Sequence, residues 1–204
     1  MLKIGITGGI ATGKTFVCTL FKKFNIPIYN ADQAAKDLVE SDKKLKEKII
    51  GAFGSESYTP TGSYNVAFIR KIIFHDEKAK KTINRIIHPA VLKDSQEWFN
   101  KKQLQNFPYA IKEAALLFES KSNVDLDKII VVHAPLELRV QRLMLRDHIN
   151  ESEALLKINS QQSQDEKVKL ADYVITNDGL HPVIIQVYKL HHLLLQLSSD
   201  HIAL

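Results

Sequence analysis

One cysteine, Cys18, is all the chain has in 204 residues. No intrachain disulfide can form, which favours a reducing compartment, and Cys18 sits on the apolar part of a helical pattern, where it reads as a core residue rather than a nucleophile. No apolar run approaches the roughly 20 residues that span a bilayer. The N-terminus lacks the charged segment and apolar stretch of an export signal. A cytoplasmic protein without membrane attachment is expected. Zinc-ligand spacings are missing, as is any dense basic run interleaved with aromatics, so no nucleic-acid partner is expected. Internal repeats and low-complexity segments are absent too. Arginine is scarce: of 28 basic residues only Arg70, Arg85, Arg139, Arg142 and Arg146 are arginine.

The rest is ordinary globular composition, 45% hydrophobic and 25% charged, enough for one domain with insertions. The net charge of +5 is spread along the chain and suits small polyanionic substrates. Arg139, Arg142 and Arg146 fall at i, i+3 and i+7, on one helical face. That face is either a solvated surface or a phosphate clamp, since the guanidinium fork grips phosphate oxygens in pairs.

The strongest local signal is Gly8-Gly9-Ile10-Ala11-Thr12-Gly13-Lys14-Thr15, a match to G-x-x-x-x-G-K-[ST]. Leu2, Ile4 and Ile6 alternate before it as a strand, and Phe16, Val17, Leu20, Phe21 and Phe24 recur after it at helical spacing. Strand, glycine loop and helix together form a phosphate site, with backbone amides turned inward and the positive end of a helix dipole behind them. Gly9, Ile10, Ala11, Thr12, Gly13, Lys14, Thr15 and Phe16 are the expected nucleotide contacts. Lys14 supplies charge for the β- and γ-phosphates, and the Thr15 hydroxyl is the expected ligand of Mg²⁺.

Four further apolar runs, Ile26 to Tyr29, Tyr109 to Glu113, Lys128 to His133 and Tyr173 to Thr176, alternate with helical patterns. The expected class is therefore α/β: a P-loop NTPase three-layer fold with a five-stranded parallel sheet. A mostly helical insertion over 32–93 carries Leu38, Leu45, Ile49, Ile50 and Phe53 at helical spacing, a turn-rich stretch from Gly51 to Ser63, and a long helical pattern interrupted by Pro89. It is expected to bind the acceptor, because ligands of such sheets lie beyond the carboxyl ends of the strands. A second insertion, 137–167, holds the arginine stripe and the polar stretch Asn159 to Glu166 and reads as a lid. The core then comprises 1–31, 94–136 and 168–204, with a tail helix between His181 and Leu197 packed on it. His191 and His192 read as residues on that helix's flank.

A phosphate loop does not by itself select among switch, motor and kinase. The Asn-Lys-x-Asp guanine-reading motif is missing, and the chain is small, which favours a small-metabolite kinase. Such an enzyme needs a base, cations for the transferring group and a lid. Asp32, just after the second strand, is either the base or the N-cap of a helix starting at Gln33. Glu113, at the tip of the third strand, could contact the Mg²⁺ shell or substrate. A nucleoside-monophosphate or sugar-acid kinase and a non-catalytic nucleotide-binding regulator stay open on these residues alone.

Over essentially its full length the chain resembles the dephospho-coenzyme A kinase family. Ile4-Gly5-Ile6-Thr7-Gly8-Gly9-Ile10 leading to Gly13-Lys14-Thr15 resembles the family's opening. Asn30-Ala31-Asp32 is similar to its Asp-Ala-Asp, Arg70 through Phe74 and then His88-Pro89 to its arginine-led segment, and Leu116-Leu117-Phe118-Glu119 to its Pro-Leu-Leu-Phe-Glu. Arg142, Arg146-Asp147 and Gln161 fall on its lid arginines and glutamine, and Ala171-Asp172-Tyr173-Val174-Ile175 with Asn177 on its last motif. The resemblance implies transfer of the ATP γ-phosphoryl, with Mg²⁺, to the ribose 3′-hydroxyl of dephospho-coenzyme A, the last step of coenzyme A synthesis. It implies a nucleotide-kinase core, a helical coenzyme A-binding domain and a lid. By the resemblance Asp32 is the base, and Lys14 and Arg142 act catalytically. Arg142 and Arg146 sit on phosphates, and Asn177 lies near the adenine. Arg70, His88, Glu113, Leu116 and Gln161 belong on the acceptor side. ATP and dephospho-coenzyme A are the expected partners of a monomer. Four positions depart from the family pattern: Asn30 replaces its first acid, Ala115 its proline, Glu113 an Asp found in many members, and Lys157 a frequent arginine.

Overall fold

A computed structural model describes residues 1–202, with side chains through residue 200. The last two residues of the expected core segment 168–204 therefore lie outside the described residues. In chain order the elements are β1 (Leu2–Thr7), α1 (Lys14–Lys23), β2 (Ile28–Asn30), α2 (Ala31–Ser41), α3 (Lys43–Phe53), a 3-10 turn (Ser55–Ser57), α4 (Val66–His75) and α5 (Glu77–Leu104). Then follow β3 (Tyr109–Glu113), β4 (Lys128–His133), α6 (Leu136–Asp147), α7 (Glu151–Asn159), α8 (Gln164–Lys169), β5 (Tyr173–Thr176) and α9 (Val183–Ile202). The chain divides into two compact units, one of Met1–Asn30 with the residues from Trp98 onward, the other of Ala31–Glu97.

The larger unit is built on a five-stranded sheet in the order β2-β3-β1-β4-β5, parallel at every pairing. Its strands are apolar because both faces are covered. Ile4, Ile6, Tyr109, Ile111, Ile130 and Val132 are fully buried, and from the helices Val17, Phe21, Val187 and Leu194 join the same cluster. Each such side chain contributes about 1.5–3 kcal/mol of transfer free energy. Parallel pairing brings the ends of β1, β3 and β4 together, so Gly8, Ala114 and Ala134 begin loops on one edge of the sheet. The second strand starts at Ile28 rather than Ile26. Pro27 has no N–H for a ladder, and it contributes only its carbonyl, to Ile111 N at 3.0 Å.

α9 packs its apolar face on the sheet, and His191 is a correction to the flank reading. Its ring is buried, stacked on Phe24 at 4.4 Å between centroids, with Nδ1 2.6 Å from the Tyr109 hydroxyl. Burial lowers the His191 pKa, and the His192 charge adds to that.

The smaller unit has its own core of Val39, Leu45, Ile49, Tyr58, Ile69 and Ile83. Asp42 caps α3 by accepting from Lys44 N and Leu45 N, and Asn65 caps α4 by accepting from Phe68 N. The Tyr58 hydroxyl donates to Val39 O at 2.7 Å, tying the turn region to α2. The expected interruption at Pro89 does not occur: α5 runs through it as one 28-residue helix. Proline deletes one ladder bond. Apolar residues on either side, Ile83, Ile86, Ile87 and Ala90, stay packed in the core and keep the helix continuous.

Candidate active site

β1 ends in the glycine loop, and α1 begins at Lys14. Gly13 has φ +94°, and a side chain there would run into the Asn177 amide, so only glycine fits. Ala11 also takes a left-handed φ, +62°, a strained value of the sort held at functional sites. The loop is braced from within: Thr12 Oγ1 donates to Gly9 O at 2.9 Å, and Lys14 Nζ to Gly8 O at 2.9 Å and Gly9 O at 3.1 Å. Asn177, just past β5, donates through Nδ2 to Thr12 O at 2.8 Å.

The outer half of the loop is gripped by the 137–167 segment. Gln161 Oε1 accepts from Ile10 N at 2.9 Å, and Gln164 Oε1 from Gly9 N at 2.8 Å. Gln164 Nε2 donates in turn to Val132 O at 2.9 Å, and Arg139 Nε donates to Ile10 O at 3.0 Å. The Gly9 and Ile10 amides, expected to contact the nucleotide, are engaged here by the Gln164 and Gln161 side chains. The amides turned toward the N-terminal end of α1, from Gly13 to Phe16, are those that helix geometry directs at an anion. Phe16 and Thr15 are exposed there.

The arginine stripe breaks into three environments. Arg139 is buried, only 6% exposed, so it is not part of a solvated surface. Arg142 is half-buried, its Nη1 3.5 Å from Ala11 O and its Nη2 3.2 Å from both Asn177 O and Oδ1. Arg146 is exposed and bidentate on Asp147, which also pairs with Lys157 Nζ at 2.9 Å. The Arg146 and Lys157 charges hold the Asp147 carboxyl well below the usual carboxylate range. α6 and α7 share an apolar cluster of Val140, Leu143, Ala154 and Ile158, against which Ile10 and Ala11 also pack.

At the tip of β3 the Glu113 carboxylate is 7% exposed. Its Oε1 accepts from Thr15 Oγ1 at 3.2 Å and its Oε2 from Asn30 Nδ2 at 3.0 Å. Asn30, the residue that departs from the family acid, is thus a donor to this carboxylate. An acid at this exposed position would set a second negative charge beside buried Glu113. Burial first, and then Glu113, pushes the Cys18 thiol far up, so it stays protonated and inert. Hydroxyl and carboxylate oxygens form a hard donor set that suits Mg²⁺, which takes one or two carboxylates and completes its shell with phosphates and water. Leu116 is exposed just beyond β3.

In the smaller unit, Asp32 is exposed in the first turn of α2, and Arg70 is exposed on α4. The N-cap reading of Asp32 fails because the helix starts at Ala31, not Gln33. His88 is half-buried on α5, and burial lowers its pKa.

Residues 2–182 match a sequence model described as Dephospho-CoA kinase. The chain belongs to the dephospho-CoA kinase family. A dephospho-CoA kinase of Bacillus cereus is 38% identical over 179 residues, covering 86% of this chain and 88% of that one. A crystal structure of a Thermus thermophilus protein superposes with a TM-score of 0.79 at 28% identity, covering 92% of this chain and 94% of that one. Dephospho-CoA kinase from Campylobacter jejuni shares the fold, with a TM-score of 0.71 at 24% identity and 98% of each chain covered.

Sequence reasoning missed Gln164, whose amide bridges the glycine loop to β4, and Lys167. Lys167 is fully buried, with its Nζ 2.8 Å from Glu119 Oε1 and 3.0 Å from Ala115 O. Both fall in or beside the polar stretch read as lid. Polarity signals exposure, and nothing in spacing marks a polar residue that folds inward.

Proposed function

We propose that this member of the dephospho-CoA kinase family transfers the γ-phosphoryl of ATP to the ribose 3′-hydroxyl of dephospho-CoA through the residues just described. Family membership supports the activity, the last step of coenzyme A synthesis. The observation that carries the site is the glycine loop, with Gly13 in the left-handed region and Lys14 directly behind it. Backbone amides at the start of α1 receive the β-phosphate. Lys14 exchanges its contacts to Gly8 O and Gly9 O for phosphate oxygens, at little cost because both are charge–carbonyl bonds. Arg142, already anchored to the Asn177 and Ala11 carbonyls, faces the nucleotide side, with Asn177 beside the adenine. Arg146 must leave Asp147 to reach a phosphate. Thr15 and Glu113 would hold Mg²⁺, which when bound neutralises charge on the β- and γ-oxygens. The Asn30 amide orients Glu113 for that task.

Asp32 accepts the proton of the attacking hydroxyl, and Arg70 and His88 bind the acceptor. These three assignments rest on the family match at their positions. Leu116 and Gln161 complete the acceptor side, Gln161 after releasing Ile10. The enzyme acts as a cytoplasmic monomer on two small molecules. No helix among the described residues is long and apolar enough to cross a membrane.

The deciding experiment offers ATP and Mg²⁺ with dephospho-CoA, nucleoside monophosphates, shikimate and gluconate in parallel. Phosphorylation of dephospho-CoA above all others is expected. Preference for another acceptor by tenfold or more in kcat/KM would overturn the assignment.

A further inference from the structure

Lys167 is fully buried on α8, and no step of the phosphoryl transfer uses it. Its Nζ meets Glu119 Oε1 at 2.8 Å and donates to Ala115 O at 3.0 Å. Both partners belong to one stretch, 114–127 between β3 and β4, which is built largely of turns. A lysine drawn out of water into an ion pair is a poor source of stability, because an apolar side chain of similar volume often serves the fold as well. What the pair does supply is a fixed place for the groups it ties.

Those groups bracket one exposed residue. Ala114 N donates to Ile6 O at 3.0 Å where the stretch leaves the sheet. Leu117 drops into the interior, fully buried, while Leu116 beside it is 39% exposed. Ala115 and Glu119 lie on either side of Leu116. Thr7 Oγ1, 3.4 Å from Ala115 O, adds a weaker bond to the same carbonyl from the end of β1. Glu119 Oε1 also accepts from Gln162 N at 3.3 Å. Its neighbour Gln161 holds Ile10 N at 2.9 Å. One ammonium thus joins the loop after β3 to the segment that grips the glycine loop.

We propose that Lys167 is a positioning residue for the acceptor: through Ala115 O and Glu119 it fixes the loop that presents Leu116, and so sets how tightly the acceptor binds. It touches neither substrate. The proposal rests on the acceptor-side placement of Leu116, and it holds for whichever acceptor the enzyme turns over. A stretch of turns that loses both ties takes up several placements. Binding must then order it, which weakens affinity without altering the reacting groups.

The test is the steady-state kinetics of Lys167→Met, together with its thermal melt and its affinity for a non-hydrolysable ATP analogue. The acceptor KM should rise at least about tenfold, the scale of a lost hydrogen bond to a charged group. Both kcat and the analogue affinity should stay within about twofold, the signature of lost uniform binding. A residue serving the fold alone would give the opposite split. Less active protein would lower kcat with the acceptor KM unchanged, and that result would overturn the proposal. An equal rise in the KM of both substrates would overturn it too. Glu119→Gln keeps the shape and removes the charge, so it should raise the acceptor KM by less. The double variant leaves no buried charge unpaired, and it decides the matter if Lys167→Met misfolds. Its acceptor KM should rise as far as the tenfold expected of Lys167→Met, since both changes cut one tie. Leu116→Ala tests the underlying placement separately. A KM raised by Leu116→Ala but untouched in the Lys167 variants removes Lys167 alone. The converse pattern keeps Lys167 and passes the acceptor contact to another residue of the same loop.

Discussion

Asn30 and Asp32 sit two positions apart in different surroundings. Asn30 donates to Glu113 Oε2 at 3.0 Å, so that carboxylate has an amide rather than a second acid beside it. Asn30→Asp replaces that donor by an anion. One of the two carboxyls then titrates upward, and the added ligand charge strengthens cation binding. The acid limb of the kcat/KM profile should move to higher pH, and half-saturating Mg²⁺ should fall. Superimposable profiles for variant and parent would mean that Asn30 does not address Glu113 in solution. Asp32 is exposed within the first turn of α2, where a carboxylate interacts with the helix dipole for about 0.3–1 kcal/mol. Asp32→Asn therefore leaves stability nearly untouched. As the base, it should cost roughly 10²–10⁴ in kcat with ATP affinity preserved. A near-normal kcat would remove Asp32 from the mechanism and leave the proton to another group.

At the scale of elements, the strands were readable because a buried parallel strand is an unbroken apolar run, as in Ile129 to Val132. The phosphate loop was readable because its glycines and lysine have fixed spacing. Pro27 moved one strand start by two residues, and packing of Ile83, Ile86, Ile87 and Ala90 carried α5 across Pro89. What stayed hidden were inward-turned polar groups. Gln164 and Lys167 lie in or beside the stretch that polarity marked as lid, yet they bind Gly9, Val132, Ala115 and Glu119. Periodicity placed the three arginines on one face but could not tell that Arg139 is buried while Arg146 is exposed. The lid reading sharpens accordingly. α6 beyond Leu143 and α7 are held by one small cluster and by surface ion pairs, which contribute little. The segment from Gln161 to Lys169 is tied into the core. Hydrogen exchange should show residues 145–158 gaining protection when ATP and acceptor bind, while 161–169 are protected throughout. Uniform change, or none, over 137–167 would argue for a rigid arm.

For the molecule as a whole, the buried contact between α9 and the middle of the sheet ties stability to pH. His191 is stacked on Phe24 and hydrogen-bonded to Tyr109, whose own phenol is pushed far up by burial and so remains protonated. With the phenol as donor, Nδ1 accepts, and the ring is neutral. The folded-state pKa of His191 lies below the ordinary 6.5 because burial, and then the His192 charge, disfavour the cation. The unfolded chain therefore binds the proton more readily. The stabilisation is complete above about pH 6.5 and is lost as pH falls through the folded value, since stability drops wherever the unfolded state holds more protons. Half-buried His88 shifts in the same direction, so the smaller unit adds to the slope. Melting temperature measured from pH 7.5 downward should begin to fall near pH 6.5, ahead of carboxylate titration. A double change, His191→Leu with Tyr109→Phe, removes the titrating ring and the phenol together and leaves no orphaned donor. The double variant should keep a flatter profile between pH 5 and 7 than the parent, with the remaining slope assigned to His88. An equally steep fall in both proteins would show that His191 is already charged in the folded state and that the Tyr109 hydrogen bond does not hold it neutral.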